Sequence, residues 1–279
     1  MKEYLKLIRV NHWIKNLLLF IPIICSGLLS YSSLFVCIGG FFAFSFVSSF
    51  IYIINDIKDI DKDKLHPRKK NRPLASGKIK KSTAIYIAVL MIILAIIINT
   101  LINNNLINTS LYFLIGYVII NICYSMGLKN VAIADIVLLA SGFVIRVYYG
   151  ASIVSVSVSS WLFLTIMSAS LFLGLGKRKK ELINNKDSRK VLQEYNEDFL
   201  DKFQYLSLCL CIVFYSLWSI DHSVKYLYLT IPFLIIIFMK YSLNIEKNDE
   251  GDPTTVFYQD KSLMVLCLIY GITMLLILV

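Results

Sequence analysis

The chain lacks most of what a soluble protein needs. No polar stretch is long enough to form a separate soluble domain, and 57% of the 279 residues are hydrophobic, with a mean hydropathy of +0.69. Acidic residues are scarce, 18 against 28 Lys and Arg, which gives a formal charge of +10. The cysteines show no metal-finger spacing. Cys25, Cys37, Cys123, Cys209, Cys211 and Cys267 lie in or beside apolar runs and read as small buried hydrophobes. The N-terminus, charged and then apolar, imitates a signal peptide. However, Pro22 interrupts the run and no A-x-A site follows, so it reads as an uncleaved first span. No internal repeat is apparent. The apolar runs are continuous rather than alternating, which excludes a closed β-barrel.

What is present is a series of about nine apolar runs, each near the length a bilayer requires: 14–31, 33–55, 82–102, 108–124, 132–150, 159–176, 203–220, 224–243 and 262–279. The expectation is an all-α, polytopic membrane protein forming one domain over 1–279. An amphipathic leading helix is expected over 1–13, with long charged loops at 56–81 and 177–202. With the N-terminus inside, the internal segments and span ends hold all but two of the 28 Lys and Arg. Lys225 and Arg146 are the exceptions. This positive-inside pattern predicts an inner-membrane protein with its long loops in the cytoplasm. The basic charge is thus no argument for nucleic acid; anionic membrane lipids or phosphorylated substrates are its expected partners.

One stretch organises the rest. After the apolar run Ser33 to Ile54 come Asn55, Asp56, Asp59, Asp61 and Asp63, then His66, Pro67, Arg68, Lys69, Lys70, Arg72 and Pro73. If the helix continues past Ile54, Asp56, Asp59 and Asp63 fall at i, i+3 and i+7 on one face, with Asn55 at its border and Asp61 off it. Carboxylates at such spacing repel by about 0.7 kcal/mol in water and about 3 kcal/mol at an effective dielectric near 20. A cation relieves that repulsion, and an all-oxygen set with room for phosphate suits Mg²⁺. The alternative is a solvated, mixed-charge loop. Pro67, Pro73 and Gly77 break any following helix, so the basic residues sit on a bent loop able to fold back over the carboxylates.

Other charged residues join this picture. Arg9, Trp13, Lys15 and Asn16 cluster where the first span begins, as headgroup anchors or as substrate contacts. Asp135 lies near the inner end of the fifth span, and Arg146 is eleven residues deeper. Arg146 either faces a polar interior with a partner or snorkels to the outer interface. Lys177, Arg178, Lys179, Lys180 and Glu181 follow the sixth span as anchors or as a second anion site. The last inner loop, with Asp249, Glu250, Asp252 and Asp260, reads as solvated or as a flap, and His222 lies on the outer side, away from any chemistry.

The pattern resembles the UbiA superfamily of intramembrane transferases, whose motif N-D-x-x-D-x-x-x-D after span 2 is matched by Asn55, Asp56, Asp59 and Asp63. The resemblance implies a nine-helix bundle with a cytoplasmic-side cavity. Within the superfamily the chain is most similar to the decaprenyl-phosphate phosphoribosyltransferases. The shared segments are Arg9…Trp13-x-Lys15-Asn16, His66-Pro67…Arg72-Pro73…Gly77, Tyr124-Ser125-x-Gly127-Leu128-Lys129, Asp135…Ser141-Gly142-Phe143…Arg146…Gly150, Gly176-Lys177-Arg178-x-x-Glu181-Leu182, Arg189…Leu192…Tyr195 and Pro253…Asp260. Users of prenyl diphosphates normally carry a second Asp-rich motif after span 6. Here that place holds Lys177, Arg178, Lys179, Lys180 and a lone Glu181, which favours a donor with an additional phosphate.

This resemblance implies transfer of 5-phosphoribosyl from 5-phosphoribosyl 1-pyrophosphate to a polyprenyl phosphate. Asp56, Asp59 and Asp63, with Asn55, would hold Mg²⁺-pyrophosphate. Arg68, Arg72, Lys129 and Lys177 would meet phosphate oxygens, and Lys15 and Arg146 the lipid phosphate. Asn16, Tyr124, Arg178, Glu181 and Tyr195 complete the candidate substrate set. A homo-oligomer is compatible with the sequence. Two other functions remain open: a prenyltransferase acting on an aromatic or quinone precursor, and a transporter or lipid-phosphate binding protein. Most charges sit at one face rather than at the midplane, which argues against the last.

Overall fold

The computed structural model describes residues 2–65, 69–184, 189–222, 224–247 and 251–278. Among them there is no strand. The helices are α1 (Lys2–Leu7), α2 (Ile21–Cys25), α3 (Tyr31–Lys58), α4 (Ile60–Leu65), α5 (Lys81–Asn103), α6 (Thr109–Met126), α7 (Ala134–Ile153), α8 (Ser160–Asn184), α9 (Glu197–Asp221), α10 (Thr230–Lys247), α11 (Pro253–Gln259) and α12 (Lys261–Leu278). Eight helices among the described residues are long and apolar enough to cross a membrane, and a shorter apolar segment, Val10–Cys25, precedes them. The chain is an integral membrane protein. Its outside shows why: Ile85, Leu101, Val265 and Leu276 on α5 and α12 are exposed, an arrangement stable only against lipid.

The single leading helix expected over 1–13 is divided at Arg9, whose backbone is left-handed (φ 52°, ψ 51°). Beyond it, Val10–Phe20 forms a 3₁₀ helix rather than an α-helix, and α2 continues it. Because a 3₁₀ helix rises about 2.0 Å per residue, the segment through Cys25 reaches about 30 Å with fewer residues than an α-helix needs. Three residues per turn also stack side chains at spacing three. Trp13, Asn16 and Leu19 form one column against α3: Trp13 Nε1 donates to Ser49 Oγ (3.0 Å), and Asn16 Nδ2 donates to Ser45 Oγ (2.9 Å).

A core of Leu19, Ile23, Phe44, Val47, Tyr117 and Tyr149 joins this segment to α3, α6 and α7. The other half of the bundle packs around Tyr215, Trp218, Leu227 and Met274. The ends of α3, α6, α8 and α10 gather on one side. Lys58 Nζ donates to the Ser125 carbonyl (2.8 Å), and Lys180 Nζ to the Glu246 carbonyl (3.0 Å).

Arg146 does not snorkel. It is 5% exposed, and its guanidinium donates to Asn16 Oδ1 (2.7 Å), the Gly142 carbonyl (2.6 Å) and Tyr117 Oη (3.0 Å), with Phe44 and Phe143 facing it. One turn further along α7, Asn99 Oδ1 accepts from Ser110 Oγ (2.8 Å) and Tyr149 Oη (3.1 Å), tying α5, α6 and α7.

Gly150 of α7 lies directly on the backbone of the 3₁₀ segment, and a Cβ there would overlap the Leu19 carbonyl. Gly150→Ala is therefore expected to cost about 1–3 kcal/mol through overpacking. A methyl at Gly116 meets nothing within 4 Å, so Gly116→Ala should be neutral or gain up to about 1 kcal/mol. Thermal unfolding of the two variants in detergent reads the difference.

Candidate active site

A cavity of about 670 Å³ opens where α3, α4, α6, α7 and α8 meet the loops. Its acidic wall comes from the junction of α3 and α4. The helix expected to run through this stretch breaks at Asp59 (φ −100°, ψ 11°), yet the hydrogen bonds from Asp59 N to Asn55 O (3.0 Å) and from Asp63 N to Asp59 O (2.8 Å) persist. The near-helical phase survives the break, and Asp56, Asp59 and Asp63 all reach the cavity. Asp61 points away, its side chain 95% exposed.

Asp56 and Asp63 are buried, at 3% and 4% exposure, and both are paired. Arg9 bonds Asp56, and Arg72 Nη1 bridges the two carboxylates, 3.1 Å from Asp56 Oδ1 and 2.6 Å from Asp63 Oδ2. Lys129 Nζ stands 4.0 Å from Asp59. Asn55 Oδ1 accepts from Ser125 Oγ (2.7 Å), which fixes its amide against the Tyr124–Lys129 turn. The oxygen donors suit a hard divalent cation. Among the described residues no three acidic, His or Cys groups converge into a ready-made metal cage. A Mg²⁺ held here would therefore complete its shell with phosphate or water oxygens, as that ion commonly does.

Ten of the candidate residues line the cavity: Lys15, Asn55, Asp56, Asp59, Asp63, Arg72, Tyr124, Lys129, Arg146 and Lys177. Arg68 lies outside the described residues. Asn16, Arg178, Glu181 and Tyr195 stand behind the wall. Arg178 is fully buried, donating to Asp135, to Glu181 Oε2 (2.6 Å) and to Tyr124 Oη (3.0 Å). Tyr195 Oη donates to Asp135 Oδ1 (2.7 Å) and accepts from Ile133 N (2.6 Å). Ile133 is a β-branched residue at φ 69°, so this bond secures a strained turn at the start of α7. Burial, together with donation to Asp135, pushes the Tyr195 hydroxyl well above the usual tyrosine range. The network ends at Arg189, which bonds Glu181 (3.1 Å) and Tyr124 Oη (3.1 Å) and does face the cavity.

Sequence reasoning left Arg9 open between anchor and substrate contact and gave no specific contact to His12, Lys69, Arg189, Lys190 or Asp252, though all six line the cavity. Arg9 and His12 had a signal in the spacing of three that ends at Lys15. Lys69, flanked by Arg72 and Arg189, is pushed below its ordinary value first by burial and then by those charges. Asp252 corrects the picture of a solvated last loop: its carboxylate sits between Lys15 (3.4 Å) and Lys177 (2.9 Å). Burial alone would raise the Asp252 carboxyl, but Lys177 and then Lys15 outweigh it and hold the group well below the usual carboxylate range. A depressed carboxyl contributes stability above its unfolded pKa, about 3.9, and loses it only as pH falls through the folded value. The contact therefore persists throughout neutral and mildly acid solution.

Removing one charge from a buried cluster should cost far more than removing an exposed one. Asp135→Asn, beside fully buried Arg178, is expected to lower stability by about 3 kcal/mol, and Asp61→Asn by less than about 0.5. Melting temperatures in detergent test both.

Comparison with known proteins gives the family and the fold. The profile of the UbiA prenyltransferase family matches residues 19–269. The chain is 30% identical to a decaprenyl-phosphate phosphoribosyltransferase of Corynebacterium glutamicum, over 95% of this chain and 83% of that one. It is 29% identical to the enzyme of the same name from Mycolicibacterium smegmatis, over 95% and 88%. In fold it is similar to a solved UbiA homolog from Archaeoglobus fulgidus bound to GPP and Mg²⁺, with a TM-score of 0.74 at 19% identity over 98% of this chain and 99% of that one. The chain belongs to the UbiA prenyltransferase family.

Proposed function

We propose that this enzyme transfers 5-phosphoribosyl from 5-phosphoribosyl 1-pyrophosphate to a polyprenyl phosphate, with release of pyrophosphate and dependence on Mg²⁺. The observation that carries the reading is the charge of the cavity wall: ten basic side chains against four carboxylates. Such an excess suits a donor with three phosphate groups and an acceptor with a fourth better than a prenyl diphosphate with two. The curated relatives named as phosphoribosyltransferases support the same choice. The whole chain is read as one transmembrane unit, with the cavity mouth and long loops in the cytoplasm.

The reaction is a substitution at ribose C1. The bond from C1 to the pyrophosphate oxygen breaks and its electron pair leaves with pyrophosphate. An oxygen of the lipid phosphate forms the new bond to C1. The acceptor is already ionised, so no general base is required, and the work is leaving-group stabilisation and alignment. Bound Mg²⁺ supplies neutralisation of the departing pyrophosphate. Asp56, Asp59 and Asp63 offer the carboxylate oxygens for that ion, and the Ser125 bond orients Asn55 beside them. Arg72, shared by two of these carboxylates, would meet the leaving group, as would Lys129 beside Asp59. Arg189 and Lys69 extend the cationic wall toward the donor's third phosphate. Arg146 and Lys15 hold positive charge deeper in the bundle, toward the lipid.

Purified enzyme should move label from phosphoribosyl pyrophosphate into the organic phase with a polyprenyl phosphate. It should lose that activity with chelator and regain it with Mg²⁺. A labelled prenyl diphosphate with an aromatic acceptor should give no product; product there would favour a prenyltransferase instead. Asp56→Ala and Asp63→Ala should each lower turnover about 100-fold or more, and Asp61→Ala should leave it near wild type. Near-normal turnover in Asp56→Ala or Asp63→Ala would refute the metal assignment.

A further inference from the structure

The contact between the last loop and the cavity has a chemistry of its own. Two ammonium groups from distant parts of the chain, Lys15 of the 3₁₀ segment and Lys177 of α8, converge on one carboxylate. Lys15 meets Asp252 Oδ1 and Lys177 meets Asp252 Oδ2. Lys15 lies six residues beyond Arg9, the partner of Asp56, and the 3₁₀ turns between them separate their backbones by about 12 Å. The two lysines pair with Asp252, whereas Arg9 and Arg72 pair with Asp56 and Asp63, so these are two distinct charge clusters.

Two buried polar atoms nearby have no partner among the described residues: His12 Nδ1 and Tyr241 Oη. Both residues lie within electrostatic reach of Asp252. Leaving such groups unpaired is costly unless something else meets them. A carboxylate has two oxygens, and here both are committed, Oδ1 also accepting from Thr254 N (3.0 Å). A phosphate monoester presents three terminal oxygens. It could satisfy both lysines and still accept from His12 or Tyr241.

We propose that the Asp252 carboxylate is an internal stand-in for the acceptor's phosphate. The lipid phosphate binds between Lys15 and Lys177 by displacing it. Gly251 rests on the Lys177 backbone, where a Cβ would lie 3.2 Å from Lys177 Cα, and the short α11 follows. Leaving the lysines would return Asp252 to its simple role as N-cap of α11, with Thr254 N as its partner. The bound phosphate would then be aligned against C1 of the donor, and its polyprenyl tail would run between the helices into the bilayer.

This inference rests on the proposed transfer reaction and fails separately from it. Asp252→Asn and Asp252→Ser both keep a good helix cap while removing the competing charge. In the phosphoribosyl transfer assay, each should lower the KM for polyprenyl phosphate about five-fold and leave the KM for phosphoribosyl pyrophosphate unchanged. Asp252→Glu should retain the wild-type KM. Lys15→Met and Lys177→Met should raise the acceptor KM about ten-fold or more. General damage to the fold cannot tighten one substrate selectively, so a lowered acceptor KM identifies displacement. An unchanged or raised acceptor KM in both neutral variants overturns the inference, because the carboxylate then only holds the lysines in place. A lowered donor KM overturns it too, since the subsite would then serve the donor's phosphates. Absence of phosphoribosyl transfer by the wild type would instead overturn the reaction itself.

Discussion

A carboxylate buried at the end of a membrane helix keeps its charge only if something opposes it. For Asp56 that is a pair of guanidiniums, Arg9 from the N-terminal segment and Arg72 from the loop after α4. Taking an ion out of water costs several kcal/mol, recovered only when partner charges and hydrogen bonds are in place. The two arginines therefore do more than stabilise a side chain. They bind the leading segment and the first long loop to the end of α3, and so give the cavity its acidic wall. Arg178 repeats the device on the far side with Asp135 and Glu181, and Arg146 repeats it with neutral partners deeper in the bundle.

The same constraint explains what could be read in the sequence. Helical spans and the phase of Asp56, Asp59 and Asp63 follow from apolar runs and spacing, and both are visible without coordinates. The burial of Arg146 was left open because insertion cost and snorkelling depend on neighbours. Asn16 and Tyr117 are 130 and 29 residues away from it in the chain. Arg178 and Tyr195 shared motifs with cavity residues, yet a motif does not record which side of a wall a side chain faces. The role of Asp252 was hidden most deeply. A charged loop reads as solvated until its partners, 237 and 75 residues distant, are known.

The family fold and the local chemistry make separate contributions. A UbiA bundle provides a polar cavity enclosed by apolar helices, and fold alone leaves the transferred group open. In this chain Lys177 of α8 and Arg189 and Lys190 of the loop that follows it line the cavity and make its wall basic. Arg178 takes no direct part in the wall; held by Asp135 and Glu181, it shapes Tyr124 and, through Glu181, Arg189.

The 3₁₀ geometry of Val10–Phe20 carries a final consequence. With three residues to the turn, Arg9, His12 and Lys15 form a ladder of basic groups facing the cavity, while Trp13, Asn16 and Leu19 form a second ladder facing α3. Both ladders share one pitch. Inserting or deleting a single residue would swing everything beyond it by about 120°, turning anchors toward the cavity and cations toward the packed interface. Substitution within this stretch can be absorbed, but its length cannot drift. The segment is a ruler for the chemistry as well as a strut for the bundle.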